Sequence, residues 1–302
     1  MRKNRATGIV AAFGVIGLVL MFPIESAGAV QTVAMQSTLK PFAIGEVRAT
    51  LDDPGSTPNA FFGDSVAESG SGPGSTLIVG AFGTDSYAGS AYIYVKGSSG
   101  WPTTPDATLT DPPATANDDF GYSVAISGDT AVVGAAGVVS PSGPISSPGA
   151  AYIYVKGSSG WPTTPTATLA DPAGTSNDVF GYSVAVSSKT VVVGAPRTHF
   201  SEGATYIYTR VASGWPAMPT STLADPGNND SDEFGNSVAV SGKTVVVGTP
   251  GAGSNSGAAY VYVKGSSDSP HPDLDVGRSL SLFRFRHRGG HFRSDRCRRL
   301  PR

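Results

Sequence analysis

The sequence predicts an all-β chain: a β-propeller of about four four-stranded blades, then a tail without repeat character. Three observations carry this. One block recurs four times, each copy holds several short runs with strand character, and no helical period separates them. The block reads Phe120-Gly121-Tyr122-Ser123-Val124-Ala125-Ile126-Ser127-Gly128, then Thr130-Ala131-Val132-Val133-Gly134-Ala135. It returns at Phe180 to Pro196 and Phe234 to Pro250, and a looser copy runs from Phe62-Gly63 to Val79-Gly80-Ala81. The phenylalanines lie 58, 60 and 54 residues apart, a period that fits one supersecondary unit per copy.

In chain order, residues 1–29 read as an export signal. Arg2, Lys3 and Arg5 precede an apolar run of 15 residues, Gly8 to Phe22, and Ala27-Gly28-Ala29 supplies small residues for cleavage. The run is short for a membrane span, which needs about 20 apolar residues. Residues 30–43 then form a linker, and the mature chain is expected outside the cytoplasm, secreted or at the cell surface by a bacterial-type export route.

The repeat region covers residues 44–267, with copies starting near 62, 120, 180 and 234. The third copy shows its plan. Tyr182 to Val186 alternates as a strand with two unlike faces does, and Ser187-Ser188-Lys189 is a tight connection. Thr190 to Val193 is a β-branched run suited to a buried strand, and it ends at Gly194-Ala195-Pro196 because proline has no N–H for a ladder. Ala204 to Thr209 is a third strand and Thr220 to Ala224 a fourth, leaving no room for a helix. Four antiparallel strands per unit, repeated, describe a propeller blade; an open solenoid or a pair of sandwiches is the rival. The glycines after the valine runs suit close backbone approach near an axis.

Trp101, Trp161 and Trp215 each stand in Ser-Gly-Trp-Pro between the third and fourth strands. Equivalent placement in three copies favours a structural role over a ligand platform. The pairs Tyr92/Tyr94, Tyr152/Tyr154, Tyr206/Tyr208 and Tyr260/Tyr262 are spaced i, i+2, so each pair shares one strand face and is read as packing.

Phe-Gly-Tyr-Ser-Val-Ala followed by Val-Gly-Ala-Pro resembles the FG-GAP repeat of integrin α-chain propellers and of many bacterial exported proteins. The resemblance covers about residues 44–267. It implies a propeller, extracellular recognition or adhesion, and, in many family copies, a calcium loop between the first two strands. Here that connection is Ser127-Gly128-Asp129, Ser187-Ser188-Lys189 or Ser241-Gly242-Lys243, too poor in oxygen donors for an ion that takes six to eight. The longer connection of the first copy, Glu68 to Ser75, has one carboxylate. The family's calcium sites are therefore not carried over; no cofactor is expected, with calcium left open although the family's loop is missing. Acidic residues cluster instead just before each Phe-Gly, most densely at Asn228-Asn229-Asp230-Ser231-Asp232-Glu233. Asp230, Asp232 and Glu233 are the metal candidate, set against a solvated loop whose Asn and Asp cap turns.

The net charge of −2 conceals unlike segments: residues 30–267 hold nine Lys and Arg against eighteen Asp and Glu, a balance of −9. Nucleic acid is excluded as a partner because phosphate binding needs a basic face. The single cysteine, Cys297, allows no intrachain disulfide. Residues 268–302 carry nine arginines and no repeat pattern, and are expected to be disordered. Read one base later, degenerate codons for this tail permit the phrases of a fifth copy in repeat order. A one-base frame change near Ser267–Asp268 explains it, and codons unable to spell that copy would refute the explanation.

The last copy has lost its fourth strand. Ala49-Thr50-Leu51-Asp52-Asp53-Pro54 has the wording of one and stands before the first copy, so it either closes a four-bladed ring or leaves an open arc with exposed edges. The functional expectation is an exported non-enzymatic module for protein–protein or glycan recognition. It would be free of the membrane once the signal is cleaved, and monomeric or associating through edges. No catalytic residues stand out: the region's one histidine, His199, has no recognisable partner pattern. The alternatives are a propeller hydrolase or lyase with an axial site, or a truncated remnant without function.

Overall fold

The computed structural model describes residues 47, 49–113, 115–138, 148–175 and 177–265. All described residues belong to the unit Val47–Arg302. The expected signal, linker and tail segments lie outside the described residues.

Fifteen described strands form four antiparallel sheets in strict chain order. Blade 1 is β1 (Val66–Ser69), β2 (Thr76–Ala81), β3 (Ser90–Val95) and β4 (Ala107–Thr110). Blade 2 is β5 (Phe120–Ser127), β6 (Thr130–Ala135), β7 (Ala150–Val155) and β8 (Ala167–Ala170). Blade 3 is β9 (Ser183–Ser187), β10 (Thr190–Ala195), β11 (Ala204–Thr209) and β12 (Ser221–Ala224). Blade 4 has three strands, β13 (Ser237–Ser241), β14 (Thr244–Thr249) and β15 (Ala258–Val263). The fold is all-β and propeller-like, as the repeats predict.

The core lies between the sheets. Successive side chains of a strand point to opposite faces, so a valine run serves two junctions. Ala131 and Val133 join Ile78, Ile93 and Leu109 of blade 1, while Val132 packs with Val191, Val193 and Phe180 of blade 3. The Phe of the last three Phe-Gly pairs is the plug: Phe120, Phe180 and Phe234 are wholly buried, each stabilising its junction by roughly 1.5–3 kcal/mol, while Phe62 of the first copy is only partly buried. The tyrosine pairs lie in these same clusters. Trp101, Trp161 and Trp215 pack against them, and the Lys96 and Lys156 ammonium groups stand 5.5 and 6.0 Å from the Trp101 and Trp161 ring centroids.

First strands of neighbouring blades are locked by one repeated device. The Oγ atoms of Ser65, Ser123 and Ser183 donate to the carbonyls of Gly121, Gly181 and Gly235 at 2.8, 2.7 and 2.7 Å. A Cβ on Gly80, Gly134 or Gly194 would collide with the same three carbonyls, so each glycine permits the approach the sequence implied.

The amino-terminal stretch does not close a ring. Residues 49–53 join no strand, β15 is an open edge among the described residues, and Leu51 packs instead on blade 1 against the cluster of Tyr92 and Tyr94. The far face of blade 4 is uncovered, with Val261 at 44% exposure. A second departure is a single turn between the second and third strands of three blades, Thr84–Tyr87, Thr198–Ser201 and Ala252–Asn255, where the sequence left no helix. Its inner residues are left-handed, which explains why no helical period announces it.

Candidate functional site

Those turns define one end of the blades. Asp85, Ser86 and Tyr87 have φ of 49°, 60° and 65°; His199, Phe200 and Ser201 have 49°, 59° and 68°; Gly253, Ser254 and Asn255 have 62°, 58° and 64°. Non-glycine residues rarely occupy this region, and three in a row require outside support. The next blade supplies it to the first two turns. Asn117, Asp119 and Phe120 donate their N–H groups to the carbonyls of Ser86, Tyr87 and Ala88 at 3.3, 2.8 and 3.1 Å. Ser231, Glu233 and Phe234 do the same to Phe200, Ser201 and Glu202 at 3.3, 2.8 and 2.9 Å. The main chain of these two turns is thereby fixed, while the side chains they carry, Asp85-Ser86-Tyr87 and His199-Phe200-Ser201, differ at every position. Phe200 is 88% exposed, and Asp85 and His199 are exposed beside their own turns.

A row of aromatic rings crosses blades 1 to 3. Phe61 stacks on Phe82 with centroids 4.8 Å apart and planes 6° from parallel, Phe82 meets Tyr122 at 5.4 Å, and Tyr122 meets Tyr182 at 5.2 Å. Tyr87 of the first turn leans on Phe82 at 6.3 Å. Phe61 is 46% exposed and both tyrosines are half-buried. Burial and the neighbouring Tyr182 hydroxyl push the Tyr122 hydroxyl well above its usual range, so it is a neutral hydrogen-bonding group. Asp64 and Asn236 occupy the same repeat position in the first and last copies, which ends the row.

Under the turns lie aspartates. Asp53, Asp111, Asp171 and Asp225 begin the Asp-Pro of each copy, and Asp118, Asp178 and Asp232 follow seven residues later; in the first copy that place holds Ala60. The leading aspartate organises its loop. Its carboxylate accepts the N–H of Thr57, Thr115, Thr175 or Asn229, at 2.7, 2.9, 3.1 and 3.3 Å in turn. Asp111 Oδ1 also accepts from the Tyr152 hydroxyl at 3.1 Å. Asp178 is buried, and its carboxyl is pushed up to about 6, first by burial and then by the charge of Asp171, with His199 pulling the other way.

The metal candidates from the sequence fare differently from one another. Asp230 is exposed, and half-buried Glu233 accepts from Asn236 Nδ2 at 3.5 Å. Asp232 is buried and lies next to Asp225, which sequence reasoning left out. The constant spacing of seven was the signal that would have found that partner. Among the described residues no three Asp, Glu, His or Cys side chains come together as a metal site, and no helix is long and apolar enough to cross a membrane.

Comparison with known proteins is consistent with this geometry. Residues 103–154, 163–208 and 219–262 each match the sequence model of the FG-GAP repeat. No curated protein matches the chain.

Proposed function

The chain belongs to the FG-GAP repeat proteins, and from that premise we propose that it is an exported, non-enzymatic module for recognition or adhesion of a protein or glycan ligand. The observation that carries this is the set of turns with one backbone and unlike side chains. A fixed main chain presenting varied side chains separates scaffold from specificity, because the loops change their contacts without changing the junctions beneath them. The aromatic row beside them offers rings suited to stacking, and Phe200 is a large apolar group held in solvent. Aromatic anchors of this kind dominate binding energies.

Binding of the labelled chain to a glycan array and to intact cells tests the reading. Saturable binding is expected, weakened about tenfold or more by Phe200→Ala or Tyr87→Ala with the fold intact. Binding untouched by either change would move the recognition surface elsewhere. Hydrolysis of glycoside or ester substrates, lost in His199→Ala, would contradict the non-enzymatic reading.

A further inference from the structure

The fourth copy differs from the others at its acidic loop, between β12 and β13. Where the first three copies have Thr57, Thr115 and Thr175, it has Asn229, and where the first copy has Ala60 it has Asp232. These side chains converge. The position a Cβ would take on Gly227 lies 3.0 Å from Asp225 Oδ2, 3.0 Å from Asp232 Oδ2 and 2.9 Å from Asn229 Nδ2. Glycine leaves that cradle open. Its φ lies outside the left-handed range, so backbone conformation does not demand it.

Asp225 and Asp232 are each about 95% buried, with exposures of 5%. The Asp225 Oδ1 atom is buried and has no hydrogen-bond partner among the described residues. Two adjacent buried carboxylates repel each other, and a cation between them relieves that repulsion. The groups acting on Asp225 are its own burial, the Gly227 and Asn229 N–H groups and Asp232, and none is a cation. Asn229 Nδ2 donates to Asp232 Oδ2 at 3.2 Å, and a half-turn of the amide would present oxygen to the same point. The Asp225 and Asp232 Oδ2 atoms and the Asn229 amide meet at the open cradle, with the orphaned Oδ1 on the same Asp225 carboxylate. They are a hard-oxygen donor set that water would complete to the six to eight oxygens calcium takes.

We propose that Asp225, Asp232 and the Asn229 side chain form a seat for a divalent cation of the calcium type at the junction of blades 3 and 4. The seat lies in the connection between blades, away from the two-residue turns joining first and second strands. It ties the end of β12 to the start of β13. The first junction, with Asp53 and Ala60, has one carboxylate and takes no ion there. The Asp171/Asp178 junction has Ala173 and Thr175 in place of Gly227 and Asn229, so it lacks the open cradle and the amide.

Calcium chloride titrated calorimetrically into the full chain at about pH 7.5, where free carboxylates are ionised, tests this directly. Terbium luminescence excited through tyrosine supplies a second readout on the unaltered chain, since the Tyr260 hydroxyl lies in the field of both aspartates. A saturable site is expected, with terbium displaced by calcium and the melting temperature higher in calcium than in EDTA. Asp232→Asn is expected to lower affinity at least tenfold. Gly227→Ala keeps both charges and fills the cradle, and is expected to lower affinity several-fold. Equal melting temperatures in EDTA show that each variant folds. Melting and calorimetry indifferent to calcium, or binding that both variants leave unchanged, would overturn the proposal.

Discussion

At Asp178 the chain keeps a carboxyl that holds its proton more tightly when folded than when unfolded. Burial is the main cause and Asp171 the next; His199 opposes both, and Thr198 and Tyr206 line the same site. The sign follows from proton counting. Between the ordinary carboxylate value and about 6, the folded chain binds a proton that the unfolded chain has released. The stability from Asp178 is therefore complete below the unfolded value and is lost as pH rises through about 6. Thermal melts in EDTA are expected to move to higher temperature as pH falls from about 7 to about 5. Asp178→Asn is expected to flatten that dependence and to melt no lower than the parent at neutral pH. A parent whose melting temperature falls steadily over that interval, with the variant following it, would contradict the assignment. Tyr206 adds a check: burial, then the Asp171 charge, pushes its hydroxyl up to about 12, so it is expected to resist ionisation in an alkaline titration.

The junction between consecutive blades is the element on which the fold depends. In blade 2, Gly134 sits under the Gly181 carbonyl that also accepts the Ser123 hydroxyl. Gly134→Ala forces a methyl group into backbone and is expected to cost about 3 kcal/mol or more in urea unfolding, whereas Ser123→Ala removes one hydrogen bond and costs about 1 kcal/mol. Equal, small effects would show that the blades do not approach this closely. The strands were readable because their alternation and valine runs are regular: Ala204–Thr209 coincides with the expected span, and the first strand of that copy shifts by one residue at each end. The left-handed turns were not readable. Asp85 and His199 are of types that tolerate a positive φ, but nothing in Ser86-Tyr87 or Phe200-Ser201 extends it to three residues in a row, and that backbone is held by N–H groups of the following blade. The aspartate pairs were half readable. Their spacing repeats in the sequence, but the pairing needs a loop that folds back, and it directed attention to Asp230 and Glu233 rather than Asp225.

Across the whole molecule the blades form a one-dimensional array. Stability in such arrays is close to a sum of unit and neighbour terms, so units covered on both faces open least. Blades 2 and 3 have neighbours on each side, while blade 4 has three strands among the described residues and leaves Val261 and Val263 at 44% and 49% exposure. Whether the array ends there was not legible in the sequence, because closure depends on where residues 49–53 pack, and Leu51 goes to blade 1. Amide hydrogen exchange followed strand by strand measures this arrangement most directly. Slowest exchange is expected in β6, β7, β10 and β11, with β15 among the fastest of the strands. Protection of β15 equal to that of β7 and β11 would contradict an array of blades packed in chain order with an uncovered last face.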